Sequence, residues 1–324
     1  MTARFLTEQD VDALLTVPEC IPLIEAAMRE FGLGQAANQP RRRLRSAGYS
    51  MQVMAAAHGA AGVAGLKVYG GGQSAAGVRA ATPMKVFLYS TQTGELLAVV
   101  AANCLGQIRT GAATGVATKY LARPDAATVG IYGAGSQART QLEAVCAVRT
   151  IRSVKVYTRT AEHREVFAAE MSAKLGIEVQ PVAQPEHAAQ ACDIVVTITN
   201  AQQPVLQGAW LEAGAHVNAA GGTSLIRGEV DAEAVGRAAV VVADSVEDAR
   251  LECADLMRAV EAGALNWEQV RELGHVVAGL IPGRVADADI TLFESQGLAL
   301  WDVAAAALVY HKAKEHGIGA PLPF

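Results

Sequence analysis

The chain has 324 residues, 51% hydrophobic and 18% charged, a composition that builds a large buried core and fills two domains. Its formal net charge of −5 leaves no basic surplus for nucleic-acid phosphates, and no apolar run reaches the roughly 18 residues of a membrane span. The five cysteines are odd in number, far apart and without a C-x-x-C pair, so they signal neither a disulfide framework nor a zinc site. Acidic residues arrive before any long apolar run at the N-terminus, which argues against a signal peptide, and the expected location is the cytoplasm.

In chain order, Thr7-Glu8-Gln9-Asp10 has the spacing of a capping box, with Asp in the third position, and opens a first helix. A second helix is predicted over residues 18–31. A basic run follows, Arg41-Arg42-Arg43-Leu44-Arg45. Short apolar segments at 49–56, 63–69, 85–89 and 96–102, punctuated by glycine, read as strands. Gly70-Gly71-Gly72 is either a flexible connection or a place where backbone comes close to something. Residues 105–121 read as a helix that ends before Pro124.

From Ala127 the texture alternates strand and helix. Strands are expected at 128–132, 153–157, 193–199, 215–220 and 239–243, with helices at 137–148 and 163–175. This is the rhythm of a parallel sheet covered on both faces. After Asp244 the chain reads as mostly helical. The domain seam is placed near Arg123-Pro124-Asp125.

Within that texture, Gly133-Ala134-Gly135-Ser136-Gln137-Ala138 follows a strand and opens a helix, the context a dinucleotide fingerprint requires. Gly133 allows the tight turn, Gly135 lets backbone approach a pyrophosphate, and Ala138 lets the helix pack on the strand. The amides that open the helix favour negative charge. An NAD site usually ends its second strand in Asp or Glu for the ribose hydroxyl. Here the strand ends in Tyr157-Thr158-Arg159-Thr160, hydroxyls and a guanidinium that suit a 2′-phosphate. NADP is therefore preferred, with NAD possible.

Four segments resemble the ornithine cyclodeaminase/mu-crystallin family. They are AGLKVYGG around Lys67, IRTGAATGVATKYLAR around Arg109, the GAGSQA turn, and ITLFESQGLALWDVAAA near the C-terminus. The likeness spans nearly the whole chain. It implies a Rossmann-type dinucleotide-binding domain over residues 124–296. A discontinuous α+β substrate-binding and dimerisation domain is implied over residues 1–123 and 297–324, giving an α/β protein that forms a homodimer.

The resemblance also implies roles. Lys67 lies beside the reacting carbon, and Arg109 and Arg42 clamp a substrate carboxylate. The neighbours Arg41, Arg43 and Arg45 leave the choice of arginine open. Cofactor contacts fall on Thr110, Thr199, Ser295 and Gly297 as well as on the fingerprint. Thr82 and Thr223 line the substrate. His58, His216 and Asp302 are read as structural, Asp302 orienting its helix. Cyclodeaminases and alanine dehydrogenases of the family carry Asp where this chain has Thr223, and cyclodeaminases also carry Glu where it has residues 51–54, Met-Gln-Val-Met. An incoming amine then lacks a counter-charge and a base. The reading favoured is an NAD(P)H-dependent reductase of small imino acids, such as cyclic ketimines. Alternatives are a dehydrogenase working on a 2-oxo acid plus an amine, an ornithine-type cyclodeaminase, and a non-catalytic NADP-dependent binder.

Overall fold

The computed structural model describes residues 2–73 and 79–323, without the side chains of residues 73 and 79–82. In chain order the elements begin with β1 (Arg4–Leu6), α1 (Glu8–Leu14), α2 (Val17–Gly32), β2 (Ala36–Ser46), β3 (Tyr49–His58), β4 (Val63–Gln73), β5 (Arg79–Ser90), β6 (Leu96–Ala101) and α3 (Asn103–Leu121). There follow β7 (Thr128–Tyr132), α4 (Ser136–Val148), β8 (Ser153–Tyr157), α5 (Ala161–Leu175), β9 (Glu178–Pro181), β10 (Ile194–Thr197), β11 (His216–Ala219) and α6 (Ala232–Arg237). The chain ends with β12 (Val240–Ala243), α7 (Val246–Glu252), α8 (Ala254–Glu261), β13 (Val270–Glu272), α9 (Leu273–Val277), β14 (Thr291–Glu294), α10 (Ala299–His316) and β15 (Ala320–Pro321).

Contacts divide the chain into two compact units, Met1–Arg109 with Leu298–Phe324, and Thr110–Gly297. The first junction lies inside α3, one turn of helix after another carrying the chain from one unit to the next. The sequence seam at Arg123-Pro124 lies past the end of that helix, where Pro124 stops it.

The first unit is a seven-stranded sheet in the order β15-β1-β6-β5-β4-β3-β2. Its helices start as their caps dictate: Thr7 with Asp10, and Thr16 with Glu19, form reciprocal capping boxes. Helix α10 packs on β3, β4 and β5 and is buried almost all round, which its alanine-rich sequence permits. Trp301 on α10 is fully buried, its indole N–H 3.0 Å from the Met28 sulfur. The three glycines at 70–72 are part of β4 rather than a flexible connection. A Cβ on Gly70 would sit 2.4 Å from the Ser50 carbonyl oxygen, so the close-approach reading is the correct one.

The second unit is an eight-stranded sheet, β13-β12-β14-β11-β10-β7-β8-β9, in which every pairing is parallel. Its strands are apolar on both sides because helices cover both faces. Val129, Ile131, Val154, Val156, Ile194 and Val196 face Leu142 of α4 and Phe167 of α5. Tyr132, Val195, Val217, Val241 and Leu292 join the opposite cluster with Leu256 of α8. The region after Asp244 is not simply helical: β14 is inserted between β11 and β12, and β13 forms the sheet edge. Both are short, four and three residues, and neither has a run long enough to announce a strand. All five cysteines are free, and no helix among the described residues is long and apolar enough to cross a membrane.

Candidate active site

In the first unit, strand alternation and one helix bring a charged cluster together. Lys67 on β4 pairs with Met54 of β3, on the sheet face that α10 covers. Asp302, in the first turn of α10, accepts through one oxygen, Oδ1, from both Lys67 Nζ at 2.9 Å and Arg109 Nε at 3.0 Å. The three residues are 3%, 0% and 6% exposed for Lys67, Asp302 and Arg109, so these pairs are far from solvent. The Arg109 guanidinium lies 5.5 Å from the Trp301 ring centre, and Lys67 Nζ lies 5.6 Å from that of Tyr69.

One anion serves two cations here, leaving a buried surplus of positive charge. Arg109 Nη1 and Asp302 Oδ2 are buried without a hydrogen-bond partner among the described residues. Burial pushes the Lys67 ammonium down to about 8; Asp302 opposes this, and the charges of Arg109 and Arg41 add to it. Such a group holds a proton at neutral pH and releases it readily. The surplus charge and the spare Arg109 donor suit a carboxylate.

The strand register favours a different arginine from the one the resemblance implies. The β2–β3 register shifts between Gln39 and Arg42, and Arg42 pairs with Val53. Val53 alternates with Met54, so Arg42 belongs to the other sheet face from Lys67. Of the arginines in the basic run, Arg41 is the one whose charge acts on Lys67, after that of Arg109. A bulge moves every side chain beyond it to the other face, and no sequence pattern announced one. The side chain of Thr82 lies outside the described residues. Asp302, read as a helix-orienting residue, is the central acceptor of the cluster. An acid inside the apolar run LALWDVAAAA was the available signal, since a buried carboxylate must find partners. His58 is structural, its Nε2 3.1 Å from Glu30.

In the second unit, a cavity of about 730 Å³ is lined by Tyr132, Gly133, Ala134, Gly135, Tyr157, Thr158, Arg159 and residues 198–205. Gly133 has φ +110°, and a Cβ there would meet the Ile198 carbonyl oxygen at 2.4 Å, so only glycine fits. Gly135 is the N-cap of α4 with no side-chain cap, and nothing lies within 4 Å of where its Cβ would be. Open space over the unsatisfied amides of a helix start is the geometry that accepts a pyrophosphate. Ser136 and Gln137 are exposed in the first turn, while Ala138 is fully buried in the core, as its packing role requires. Thr199 lines the cavity, Arg159 is an exposed residue of its wall, and Thr160 is the N-cap of α5. Thr110, buried at the first position of this unit, and Thr223 are not among the cavity-lining residues.

Two buried carboxylates hold the strand ends of this unit. Glu229 accepts from the amides of Thr199 and Gly221 and from the hydroxyls of Thr197 and Thr199. Asp244 accepts from the amides of Ser245, Gln296 and Gly297 and from the Ser295 hydroxyl. Ser295 and Gly297 are thus positioned by Asp244. Burial pushes both acids up to about 7. His216 is fully buried, its Nδ1 2.9 Å from Thr291 Oγ1, and burial lowers it to about 3, so it stays neutral and structural.

The model of the ornithine cyclodeaminase/mu-crystallin family matches residues 1–317. The alanine dehydrogenase of Archaeoglobus fulgidus is 36% identical over 327 residues, covering 100% of this chain and 99% of that protein. A Delta(1)-pyrroline-2-carboxylate reductase of Bacillus cereus is 41% identical over 240 residues, 74% of each chain. The structure of the Thermococcus litoralis Delta(1)-pyrroline-2-carboxylate reductase, in complex with NADH and L-proline, superposes with a TM-score of 0.92 at 35% identity, over 98% of this chain and 100% of that one. With its lysine strand, arginine helix and glycine turn all in place, the chain belongs to the ornithine cyclodeaminase/mu-crystallin family.

Proposed function

We propose that the protein is an NAD(P)H-dependent reductase of small imino acids, of which cyclic ketimines such as pyrroline- or piperideine-2-carboxylate are the preferred class. The observation that carries this reading is the Lys67–Asp302–Arg109 cluster, a buried surplus of positive charge that includes a readily released proton. Arg109 grips the substrate carboxylate through its spare Nη1, and Arg41 replaces Arg42 as the second arginine. Lys67 gives its proton to the imine nitrogen as the carbon is reduced, and solvent returns it. Asp302 keeps both cations in place.

The Gly133–Gly135 turn, the opening amides of α4 and the Tyr157–Arg159 wall would hold the dinucleotide. When bound, a reduced nicotinamide supplies the hydride. Arg159, with hydroxyls on either side and no acid at the end of β8, supports NADP over NAD. The absence of a carboxylate at Thr223 supports reduction of a ready-made imine over deamination of a basic amino acid. The first unit also supports a homodimer. On the sheet face opposite Lys67, Ala55, Ala57, Ala64, Leu66 and Tyr89 line an apolar hollow of about 320 Å³. The proposed location is the cytoplasm.

The full-length likeness to an alanine dehydrogenase favours a second reading, in which a 2-oxo acid and ammonia or an amine combine before reduction. The two are separated by mixing purified protein with NADPH or NADH and following nicotinamide absorbance, first with a cyclic ketimine, then with pyruvate plus ammonia. Oxidation with the ketimine and its loss in Lys67→Met, with cofactor affinity retained, is the expected result. Turnover with pyruvate and ammonia alone would reject the reductase in favour of the dehydrogenase.

A further inference from the structure

We propose that Glu229 is a positioning residue of the dinucleotide site: its buried carboxylate ties the turn at Thr199 to the turn at Gly221 and holds the cavity wall in the shape that takes the cofactor. This rests on the cofactor reading above. Glu229 is 1% exposed, and its two oxygens have separate duties. Oε1 accepts from the Thr199 amide at 2.5 Å and the Thr199 hydroxyl at 2.7 Å. Oε2 accepts from the Gly221 amide at 2.6 Å and the Thr197 hydroxyl at 3.1 Å. Thr199 is itself part of the cavity wall, between Ile198 and Asn200. The two turns are pressed together, since a Cβ on Gly221 would lie 2.4 Å from the Thr199 carbonyl oxygen. Arg227 Nη1 reaches Asn200 Oδ1 at 3.1 Å, a second tie from the Glu229 segment to the same wall.

The slot takes acceptors. Two of its four donors are backbone amides, which cannot turn round and accept. A carboxylate satisfies all four, whereas the amide nitrogen of a glutamine would face an N–H wherever it was placed. The ionisable groups facing Glu229 are mostly acids. Asp255 of α8 accepts the Glu229 backbone N–H through both oxygens at 3.0 Å, and Glu294 of β14 feels the Glu229 charge. Cys253 donates to Glu294, and Arg258 acts on Asp255. Burial first, then Asp255, raises Glu229 to about 7. Below neutrality one oxygen gains a hydrogen, which a threonine hydroxyl can accept, and the tie from that oxygen to its amide weakens. The wall then holds the cofactor less firmly.

The test is a fluorescence titration with NADH from about pH 6 to about pH 8.5, on wild type and Glu229→Gln, with thermal melting recorded alongside. Wild-type Kd is expected to be about tenfold higher at the acid end, the scale of one weakened charge-assisted bond. Glu229→Gln should bind weakly at every pH with no break near neutrality. Equal affinities and parallel profiles in the two proteins overturn the proposal. Should the variant not fold, amide exchange at Gly221 in cofactor-free wild type decides the matter. Protection, corrected for intrinsic rate, should rise through neutral pH, and a flat profile overturns the staple. If wild type binds neither NADH nor NADPH at any pH, the cofactor reading itself falls, and the positioning role with it; if it binds NADPH alone, the same comparison is read with NADPH.

Discussion

Both units bury ionisable side chains, but they compensate them differently. In the first, Asp302 is fully buried between Lys67 and Arg109, and the charges are matched by opposite charges with one cation left over. In the second, Glu229 and Asp244 are met mainly by backbone amides and hydroxyls, with further acids nearby, and both are pushed up to about 7. The first arrangement keeps charge in place and asks for an external anion. The second shapes loops at the strand ends and takes up protons when it can. Burial alone therefore does not identify a reacting group. What surrounds the charge does.

The sharpest way to break this contrast is to neutralise one acid in each unit. Asp302→Asn strands two buried cations and should cost about 3–5 kcal/mol, the usual penalty for breaking a buried pair. Asp244→Asn strands no cation and keeps one oxygen for its amide partners, so its cost should be nearer 1–3 kcal/mol. Urea unfolding of the two variants measures both. Equal costs would mean that the two units hold their acids in the same way.

A smaller effect sharpens the same contrast through pH. Glu229 and Asp244 rise to about 7, and Asp255 to about 6, from ordinary values of 4.5, 3.8 and 3.8. Between about pH 4.5 and pH 7 the folded protein keeps protons that the unfolded chain has already released. These groups therefore make stability fall as pH rises through that window, and they contribute no further slope above it. His216, which burial keeps neutral in the folded protein, takes up a proton in the unfolded chain below about pH 6.5 and offsets part of this fall; the net drop in melting temperature from pH 5 to pH 7.5 should be about 5 °C. Glu229→Gln and Asp244→Asn should each flatten the slope. A melting temperature that climbs across the window would contradict the second-unit picture.

The sequence made one side of the contrast more legible than the other. The Gly133–Ala138 turn could be read because its demands are local: a left-handed glycine, an open amide end and a small residue are all set within six positions. The capping box at Thr7 is local in the same sense. Lys67 and Arg109 were readable through their motifs, but their common partner was not, because Asp302 is 235 residues from Lys67. The proposed choice of Arg41 over Arg42 rests on a bulge between Gln39 and Arg42, where one extra residue exchanges the two sheet faces. Glu229 gave no signal because its meaning depends on two turns, at Thr199 and Gly221, brought together only by the parallel pairing of β10 with β11.

The smallest expected effect concerns a cation outside both buried sets. Arg159 is an exposed residue of the cavity wall, following β8, and unlike Lys67 and Arg109 it is solvated. On the proposed NADP reading, its screened contribution to a 2′-phosphate would be about 1 kcal/mol, roughly fivefold in affinity. Arg159→Asp adds repulsion of the phosphate while offering a carboxylate to a free ribose hydroxyl. NADPH affinity should therefore fall by at least about tenfold while NADH affinity holds or improves, as read by fluorescence titration of each cofactor. An equal loss for both would mean that the residue shapes the wall rather than reads the phosphate. No change for either would leave the choice of cofactor to groups other than this guanidinium, and would confine the useful cations of the protein to the buried set.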